Sequence, residues 1–264
     1  MSKPLLIIRT GRAPDPIRAR HGDFPLWFRL GLRVGHERLQ VVDVERGDEL
    51  PPPAQCAGAV ITGSASMVTE RLSWSERAAG WIRNAMDVDL PMFGVCYGHQ
   101  LMSHALGGLV DYLPGGREMG THAVERLDAG HDDPLASKLP ASFRVHLTHE
   151  QSVLEVPPGA VVLARSARDP HQLLRYGANA ISTQFHPEFS ADIMRAYIRR
   201  KASALTAEGQ PPAPLYAGVA ATPVARNILR SFVRHHVAGL GLGVRVNTLT
   251  PAGAEASGLS ASAA

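Results

Sequence analysis

The chain has 264 residues, of which 45% are hydrophobic and 19% are charged. These fractions are ordinary for a globular protein that is large enough to bury a full core. The formal net charge is +3, and lysine and arginine form no long run. The pattern argues against a nucleic-acid-binding protein, in which basic residues cluster on one face.

The chain contains two cysteines, Cys56 and Cys96. A disulfide framework is therefore not expected, which favours a reducing cytoplasmic location. The first residues lack the apolar core and the cleavage site of a secretory signal. No apolar stretch approaches the ~18 residues needed to cross a bilayer. We therefore expect a soluble cytoplasmic protein that does not contact membranes.

Short apolar runs alternate with helical patterns in the first part of the chain. The runs predict strands at residues 5–8, 39–44 and 59–62, and the pattern of residues 24–32 predicts a helix. This alternation predicts an α/β fold with a doubly wound, mostly parallel sheet flanked by helices. Ligands in such sheets bind outside the carboxyl ends of the strands. We therefore expect an arginine-rich loop, residues 9–23, to lie at the binding edge.

The segment 73–87 has the pattern of an amphipathic helix. Ser73 stands three residues before Glu76, which is the spacing of a capping box. The sequence therefore predicts that this helix begins with a reciprocal side-chain cap. We assign no chemistry to this segment.

The segment 91–106 predicts a strand that turns sharply into a helix at a cysteine. Cys96 stands between Gly94 and Gly98, which is the Gly-x-nucleophile-x-Gly pattern of a nucleophile elbow. Such a turn exposes the thiol above the sheet edge, at the end of the helix that favours a thiolate. The alternative is that Cys96 is a small buried hydrophobe beside a glycine turn.

A cysteine nucleophile needs a base, and a third group should orient that base. The segment 184–189 follows an apolar run and contains His186, Pro187 and Glu188. A histidine at the end of a strand, fixed by proline and followed two residues later by a carboxylate, can carry the base and its orienting group on one loop. The sequence therefore predicts that His186 and Glu188 act with Cys96.

Residues 93–100 together with residues 184–188 resemble the motifs of the class I (triad) glutamine amidotransferases. The resemblance is greatest to stand-alone proteins similar to the glutaminase domain of GMP synthase. It covers about residues 4–200, and both motifs match in chain order. The resemblance implies the flavodoxin-like fold of that family.

The resemblance also implies a catalytic triad of Cys96, His186 and Glu188. His186 would hold the Cys96 thiolate and later protonate the leaving ammonia, while Glu188 orients the imidazole. The expected reaction is hydrolysis of the γ-amide of glutamine through a cysteinyl thioester, with release of glutamate and ammonia.

The loop at residues 62–68 is expected to form part of the oxyanion hole. In the family a Gly-Gly-Pro-like turn donates one backbone N–H here, and the residue after the nucleophile, Tyr97 in this chain, donates the other. Ser64 and Ala65 stand where Gly-Pro is usual. Because the donor is a backbone group, Gly63 or Ser64 can supply it. The alternative is an ordinary loop between a strand and a helix.

The resemblance suggests further residues for the glutamine pocket. Gln100 would contact the bound glutamine, and Glu150 and Gln151 would present main-chain groups to its α-amino or α-carboxylate end. His149 is expected to be a structural hydrogen-bonding residue. No cofactor is expected, because no Cys or His set has zinc-site spacing and no phosphate-binding Gly-x-x-x-x-Gly-Lys loop occurs.

Two alternatives to a glutamine amidotransferase stay open. A hydrolase of γ-glutamyl peptides or conjugates would use the same triad on a different leaving group. Such an enzyme would need an open pocket mouth near residues 9–23, whereas free glutamine fits a closed one. A catalytically silent subunit would use the fold only to bind a partner.

The domain organisation is expected to follow the resemblance. We predict a glutamine amidotransferase-like domain at residues 1–202, a linker at 203–222, a helical appendage at 223–246 and a disordered tail at 247–264. The segment after the matched region is shorter than the ~100 residues of a typical synthetase domain. An ammonia acceptor site is therefore expected on a separate synthetase chain, or is absent.

Overall fold

The computed structural model describes residues 3–237. The strands are β1 (Leu5–Arg9), β2 (Leu39–Asp43), β3 (Gly58–Ile61), β4 (Met92–Val95), β5 (Leu109–Tyr112), β6 (Glu118–Arg126), β7 (Ser142–His149), β8 (Gln151–Glu155), β9 (Val161–Arg165), β10 (Leu173–Arg175) and β11 (Ala180–Thr183). The α-helices are α1 (Asp15–His21), α2 (Phe24–Leu32), α3 (Ser73–Asp87), α4 (Tyr97–Ala105), α5 (Ala191–Arg200), α6 (Ala202–Ala207), α7 (Pro212–Ala217) and α8 (Pro223–His236). None of the helices within residues 3–237 is long and apolar enough to cross a membrane.

The main sheet joins nine of these strands in the order β2-β1-β3-β4-β11-β10-β9-β6-β7. The first five strands in this order pair in parallel. The remaining strands pair antiparallel, and β5 and β8 form a separate antiparallel pair. The predicted α/β fold with a sheet flanked by helices is confirmed, and the parallel half contains the strands that end at the predicted catalytic residues.

Helices cover both faces of the parallel half, which explains why its strands are continuous apolar runs. Leu5 and Ile7 of β1 belong to a core that also contains residues of α2 and α8. Leu6 and Ile8 belong to a second core with residues of α3 and α4. Successive side chains of a strand point to opposite faces, so one short run supplies both cores.

Residues 203–237 pack against the same domain. The segment predicted as a linker, residues 203–222, contains α7 and most of α6. Phe232 of α8 lies 5.3 Å from Phe93 of β4, measured between ring centroids. The apolar stripe of α8 is therefore buried in the core beside the sheet. Residues 238–246 of the predicted appendage and the predicted tail lie outside the described residues.

The predicted capping box of α3 is wrong. The N-cap residue of α3 is Leu72, and no side chain caps the helix there. Glu76 instead lies 3.0 Å from Nε2 of His104 on α4 and 3.7 Å from the guanidinium of Arg71. The Glu76 carboxylate, which the local pattern assigned to the start of α3, therefore interacts with a side chain from another helix.

Candidate active site

Cys96 occupies a strained turn between β4 and α4. Its φ is 53° and its ψ is −104°, a conformation that residues with a side chain rarely adopt. A Cβ atom on Gly94 would lie 2.6 Å from the carbonyl oxygen of Gly98, and one on Gly98 would lie 2.4 Å from that of Ile61. Both positions are therefore open only to glycine, as the geometry of a nucleophile elbow requires.

Backbone hydrogen bonds join the elbow to the neighbouring strands. The N–H of Cys96 donates to the carbonyl of Thr183 over 2.9 Å, and the N–H of Gly98 donates to the carbonyl of Thr62 over 3.1 Å. Thr183 is the last residue of β11, and Thr62 directly follows β3. The thiol consequently lies at the carboxyl edge of the parallel strands, where ligands bind in this class of sheet.

The loop after β11 holds His186 in one orientation. Nδ1 of His186 donates to Oε1 of Glu188 over 2.7 Å, and the imidazole stacks on Phe189 with ring centroids 4.1 Å apart. The N–H of His186 donates to the carbonyl of His146 over 2.9 Å. Only Nε2 remains, and it is buried without a hydrogen-bond partner among the described residues.

The remaining side of the imidazole borders Cys96. A Cβ atom on Gly63 would lie 3.2 Å from Cε1 of His186 and 3.7 Å from Cβ of Cys96, so the three residues meet at one point. Burial by itself would lower the pKa of His186. The carboxylate of Glu188 and the charge of Cys96 together outweigh this effect and raise the pKa to about 10. At neutral pH the arrangement therefore favours the imidazolium form of His186.

A second histidine close to His186 stays neutral. The pKa of His146 falls to about 4 because the side chain is buried and because His186, Arg144 and Arg195 add positive charge nearby. Nδ1 of His146 lies 3.1 Å from Oγ1 of Thr121. Of these two histidines, only His186 therefore carries a positive charge at neutral pH.

The structure brings the three predicted oxyanion-hole residues to the thiol. Gly63 lies next to both Cys96 and His186. Ser64 and Tyr97 line the same pocket as Cys96. Tyr97 is the first residue of α4, so its N–H has no acceptor within the helix. The Tyr97 hydroxyl instead lies 2.6 Å from Oγ of Ser75, which directs the side chain toward α3.

The pocket above Cys96 has a volume of about 230 Å³ and is lined by all three residues predicted for substrate binding. Gln100 donates from Nε2 to the carbonyl of Gln151 over 2.7 Å and to Oε1 of Gln184 over 2.9 Å. The Gln151 side chain accepts from the N–H of Val68 over 3.1 Å and donates to Oγ1 of Thr69 over 2.6 Å. These amides thus join α4, β8 and the loop after β3, and protein groups already occupy their donors.

Charged side chains surround the mouth of the pocket. The carboxylate of Glu150 lies 2.8 Å from the guanidinium of Arg117 and 3.4 Å from Nζ of Lys201. Arg12 and Arg200 also line the pocket. None of these four cations is among the residues predicted from the sequence for the site. Arg12 had a signal in its place in the arginine-rich loop, whereas Arg200 and Lys201 come from the end of a helix without a motif.

A buried network lies behind the pocket. Glu118, His149 and Asp169 bring ligand-type atoms within 4.8 Å of one another. Nδ1 of His149 donates to the carbonyl of Gln151 over 2.9 Å, and Nε2 lies 3.0 Å from Oε2 of Glu118. Burial raises the pKa of Glu118, but the hydrogen bond and charge of His149 lower it below its usual value. Although the donor types suit a divalent cation, Nε2 of His149 already faces Glu118, and the hydroxyls of Ser166 and Ser152 donate to Glu118 and Asp169. The set therefore fits a hydrogen-bonded support for Gln151 better than a metal site.

Comparison with known sequences relates the chain to one family. The sequence profile described as glutamine amidotransferase class-I matches residues 32–203. The GMP synthase (glutamine-hydrolyzing) of Thermomicrobium roseum is 35% identical over 143 residues, which are 54% of this chain and 25% of that protein. Gamma-glutamyl peptidase 4 of Arabidopsis thaliana is 29% identical over 166 residues, which are 62% of this chain and 66% of that protein. The match thus spans about a quarter of the GMP synthase.

Solved structures share the fold. A glutamine amidotransferase from Thermotoga maritima aligns with a TM-score of 0.71 and 21% identity, covering 90% of this chain and all of that one. A glutamine amidotransferase from Methylobacillus flagellatus aligns with a TM-score of 0.66 and 23% identity, covering 90% of this chain and 94% of that one. At these identities the likeness shows the fold alone. Because the family profile matches more than half of the sequence, the chain belongs to the class I glutamine amidotransferase family.

Proposed function

We propose that the protein hydrolyses the γ-amide of L-glutamine through a thioester on Cys96, with His186 and Glu188 completing the triad. The observation that carries the proposal is the buried contact of these residues at the strained turn after β4. The Nε2 atom of His186 has no other partner among the described residues, and its Nδ1 is bound by Glu188. This arrangement supports roles for Cys96 as nucleophile, His186 as base and Glu188 as orienting group.

The first half-reaction forms the thioester. The Cys96 thiolate attacks the γ-carbonyl carbon of glutamine, and a C–S bond forms. The carbon–nitrogen bond then breaks as the imidazolium of His186 donates its Nε2 proton to the leaving nitrogen, which departs as ammonia. The raised pKa of His186, about 10, keeps this proton available at neutral pH.

The second half-reaction releases glutamate. Neutral His186 removes a proton from water, the hydroxide adds to the thioester, and the C–S bond breaks to restore the thiolate. The oxyanion formed in each half-reaction would accept hydrogen bonds from backbone N–H groups of Tyr97 and of Gly63 or Ser64. Removal of one such donor typically costs about 3 kcal/mol of transition-state stabilisation.

The charged mouth supplies groups for the amino-acid end of the substrate. The Glu150 carboxylate faces Arg117 and Lys201, so a zwitterion can place its α-ammonium against Glu150 and its α-carboxylate against Lys201. The amides of Gln100 and Gln151 act as positioning groups, because they hold the loop after β3 against the elbow. We expect ammonia to serve an acceptor site on a separate synthetase chain.

Hydrolysis of small γ-glutamyl peptides is the second candidate. Arg12 and Arg200 extend the lining of the pocket beyond the three substrate-binding residues, which leaves charged groups for a leaving group larger than ammonia. The relative from Arabidopsis thaliana is called a gamma-glutamyl peptidase. The same triad would act, with the peptide amine in place of ammonia.

The deciding experiment is an assay of glutamate release by purified protein from L-glutamine and, in parallel, from γ-glutamyl dipeptides. Cys96→Ala should abolish release, whereas Cys56→Ala, which removes a buried thiol that does not line the pocket, should retain it. Selective turnover of the dipeptides would move the substrate assignment to the second candidate. If neither substrate is hydrolysed, alone or with a synthetase added, the chain is a silent binding subunit and the proposal is wrong.

A further inference from the structure

A second pocket lies between α8, the end of α2 and the turn at residues 135–140. Its volume is about 640 Å³, which is in the usual range for a site that holds a small molecule. None of its lining residues lines the pocket above Cys96. The two pockets are therefore separate, although α2 joins them: Phe24 at its start lines the first, and Arg33 directly after its end lines the second.

The polar lining of this second pocket is cationic. Four basic side chains line it, and none of the described lining residues is acidic; the basic residues are Arg33, Lys138, Arg230 and Arg234. Within residues 3–237, no carboxylate forms an ion pair with any of them. The formal net charge of the whole chain is only +3. Positive charge is thus concentrated here beyond the average of the surface.

The arginines of α8 lie close enough to repel one another. Arg226, Arg230 and Arg234 lie one turn apart on one side of the helix, where like charges repel. Burial and the charges of Arg33 and Arg226 lower the pKa of Arg230. Its Nε is buried without a hydrogen-bond partner among the described residues. An anion in the pocket would relieve this repulsion.

Apolar side chains form the rest of the lining. Leu135, Leu139 and Pro140 come from the turn, and Val224 and Ile228 come from α8. A bare inorganic anion would leave this apolar surface without a contact. A ligand with an anionic end and a planar or apolar body would use both parts of the lining.

We propose that this second pocket binds a phosphate-bearing small molecule of about nucleotide size, with its phosphates against Arg33, Arg230 and Arg234 and its body against the apolar residues. Guanidinium groups match phosphate oxygens in a bidentate geometry, and the pocket offers three of them. The proposal is independent of the reaction at Cys96, because it uses none of the same residues.

The test is isothermal titration calorimetry of the full-length chain with ATP, inorganic pyrophosphate and adenosine, in magnesium-free buffer at low salt. ATP should bind at least ~10-fold more tightly than pyrophosphate, because its body also contacts the apolar lining. Adenosine should not bind detectably, because it lacks the charge that the guanidinium groups attract. The double variant Arg230→Gln/Arg234→Gln should weaken ATP binding by at least ~10-fold.

The matched control is Arg77→Gln, an exposed arginine on α3, which packs on the opposite face of the sheet. It should leave ATP affinity unchanged. Arg33→Gln, outside α8, is a second variant that should also weaken binding if the double variant does not fold. Absence of ATP binding at millimolar concentration, affinity no greater than that of pyrophosphate, or an equal loss in Arg77→Gln would each overturn the proposal.

Discussion

The floor and the mouth of the pocket above Cys96 differ in burial and in origin. On the floor, Cys96, His186 and Glu188 are only 7%, 2% and 1% exposed. At the mouth, the side chains of Glu150 and Lys201 are 28% and 40% exposed. The floor comes from two short motifs at the ends of neighbouring parallel strands, whereas the mouth comes from a loop, a strand end and a helix end that are distant in the chain.

This difference suggests that the floor and the mouth have different roles in catalysis. Buried groups with fixed partners suit bond making, because a displacement of one atom changes the reaction geometry. Half-exposed ion pairs are screened by water and contribute little each, so they suit adjustable recognition of the substrate. We therefore expect substitutions on the floor to reduce kcat and substitutions at the mouth to change mainly KM.

The largest effect is expected for His186→Asn. Asparagine cannot take up or donate the proton, so kcat for glutamine hydrolysis should fall by about 10³-fold. The measurement is steady-state glutamate release. His36→Asn, at an exposed histidine near Glu37, should have no effect. A variant that keeps more than a tenth of the wild-type rate would show that His186 is not the proton carrier.

Glu188→Gln should have a smaller effect on rate, about 10²-fold, and a diagnostic effect on its pH dependence. The Glu188 charge helps raise the pKa of His186 to about 10, so activity that needs the imidazolium should fall as pH rises through that value. Without the carboxylate the pKa of His186 falls, and the alkaline limb should move to lower pH. An unchanged alkaline limb would contradict the role of Glu188.

The same raised pKa predicts the pH dependence of stability. Because the pKa of His186 is higher in the folded state than its ordinary 6.5, protonation of His186 stabilises the fold fully below pH 6.5. This contribution is lost as pH rises from there through about 10. Urea denaturation of wild type and Glu188→Gln across this range should show a smaller decline in the variant. Equal declines would mean that another group titrates.

Gly98→Ala tests the close packing of the elbow. The added Cβ would lie 2.4 Å from the carbonyl oxygen of Ile61, so the free energy of unfolding should fall by about 1–3 kcal/mol. Gly80→Ala in α3 is the matched control, because its Cβ would meet only the end of the Arg83 side chain at 3.7 Å. That change should stabilise the helix by about 0.5–1 kcal/mol. Equal effects of the two changes, measured by urea denaturation, would contradict the packing argument.

The smallest effect is expected at the mouth, for Glu150→Gln. Loss of the charge that pairs with Arg117 and Lys201 should raise KM for glutamine by about 3–10-fold with little change in kcat. An exposed ion pair contributes about 1 kcal/mol, which corresponds to a change in affinity of this size. Glu125→Gln, which breaks the exposed pair with Arg165, should change neither constant. A large fall in kcat would place Glu150 with the floor instead.

Several elements could be predicted from local patterns. The helices at residues 24–32 and 73–87 have the predicted bounds, and the turn at Cys96 has the backbone that Gly94 and Gly98 suggested. Such features depend on residues close in sequence, where periodicity and glycine placement act directly. Prediction from local patterns failed at the start of α3, because the Glu76 side chain interacts with His104 of α4 and does not cap the helix.

The sequence by itself determined the class of fold and the two motifs that point to Cys96, His186 and Glu188, because apolar periodicity and glycine spacing are local properties. Only the tertiary structure decided which charged residues surround the pocket and that α8 packs into the main core. It also decided that the donor groups of Gln100 and Gln151 bind protein atoms. These features depend on contacts between residues far apart in the chain, and no local pattern specifies which distant side chains will meet.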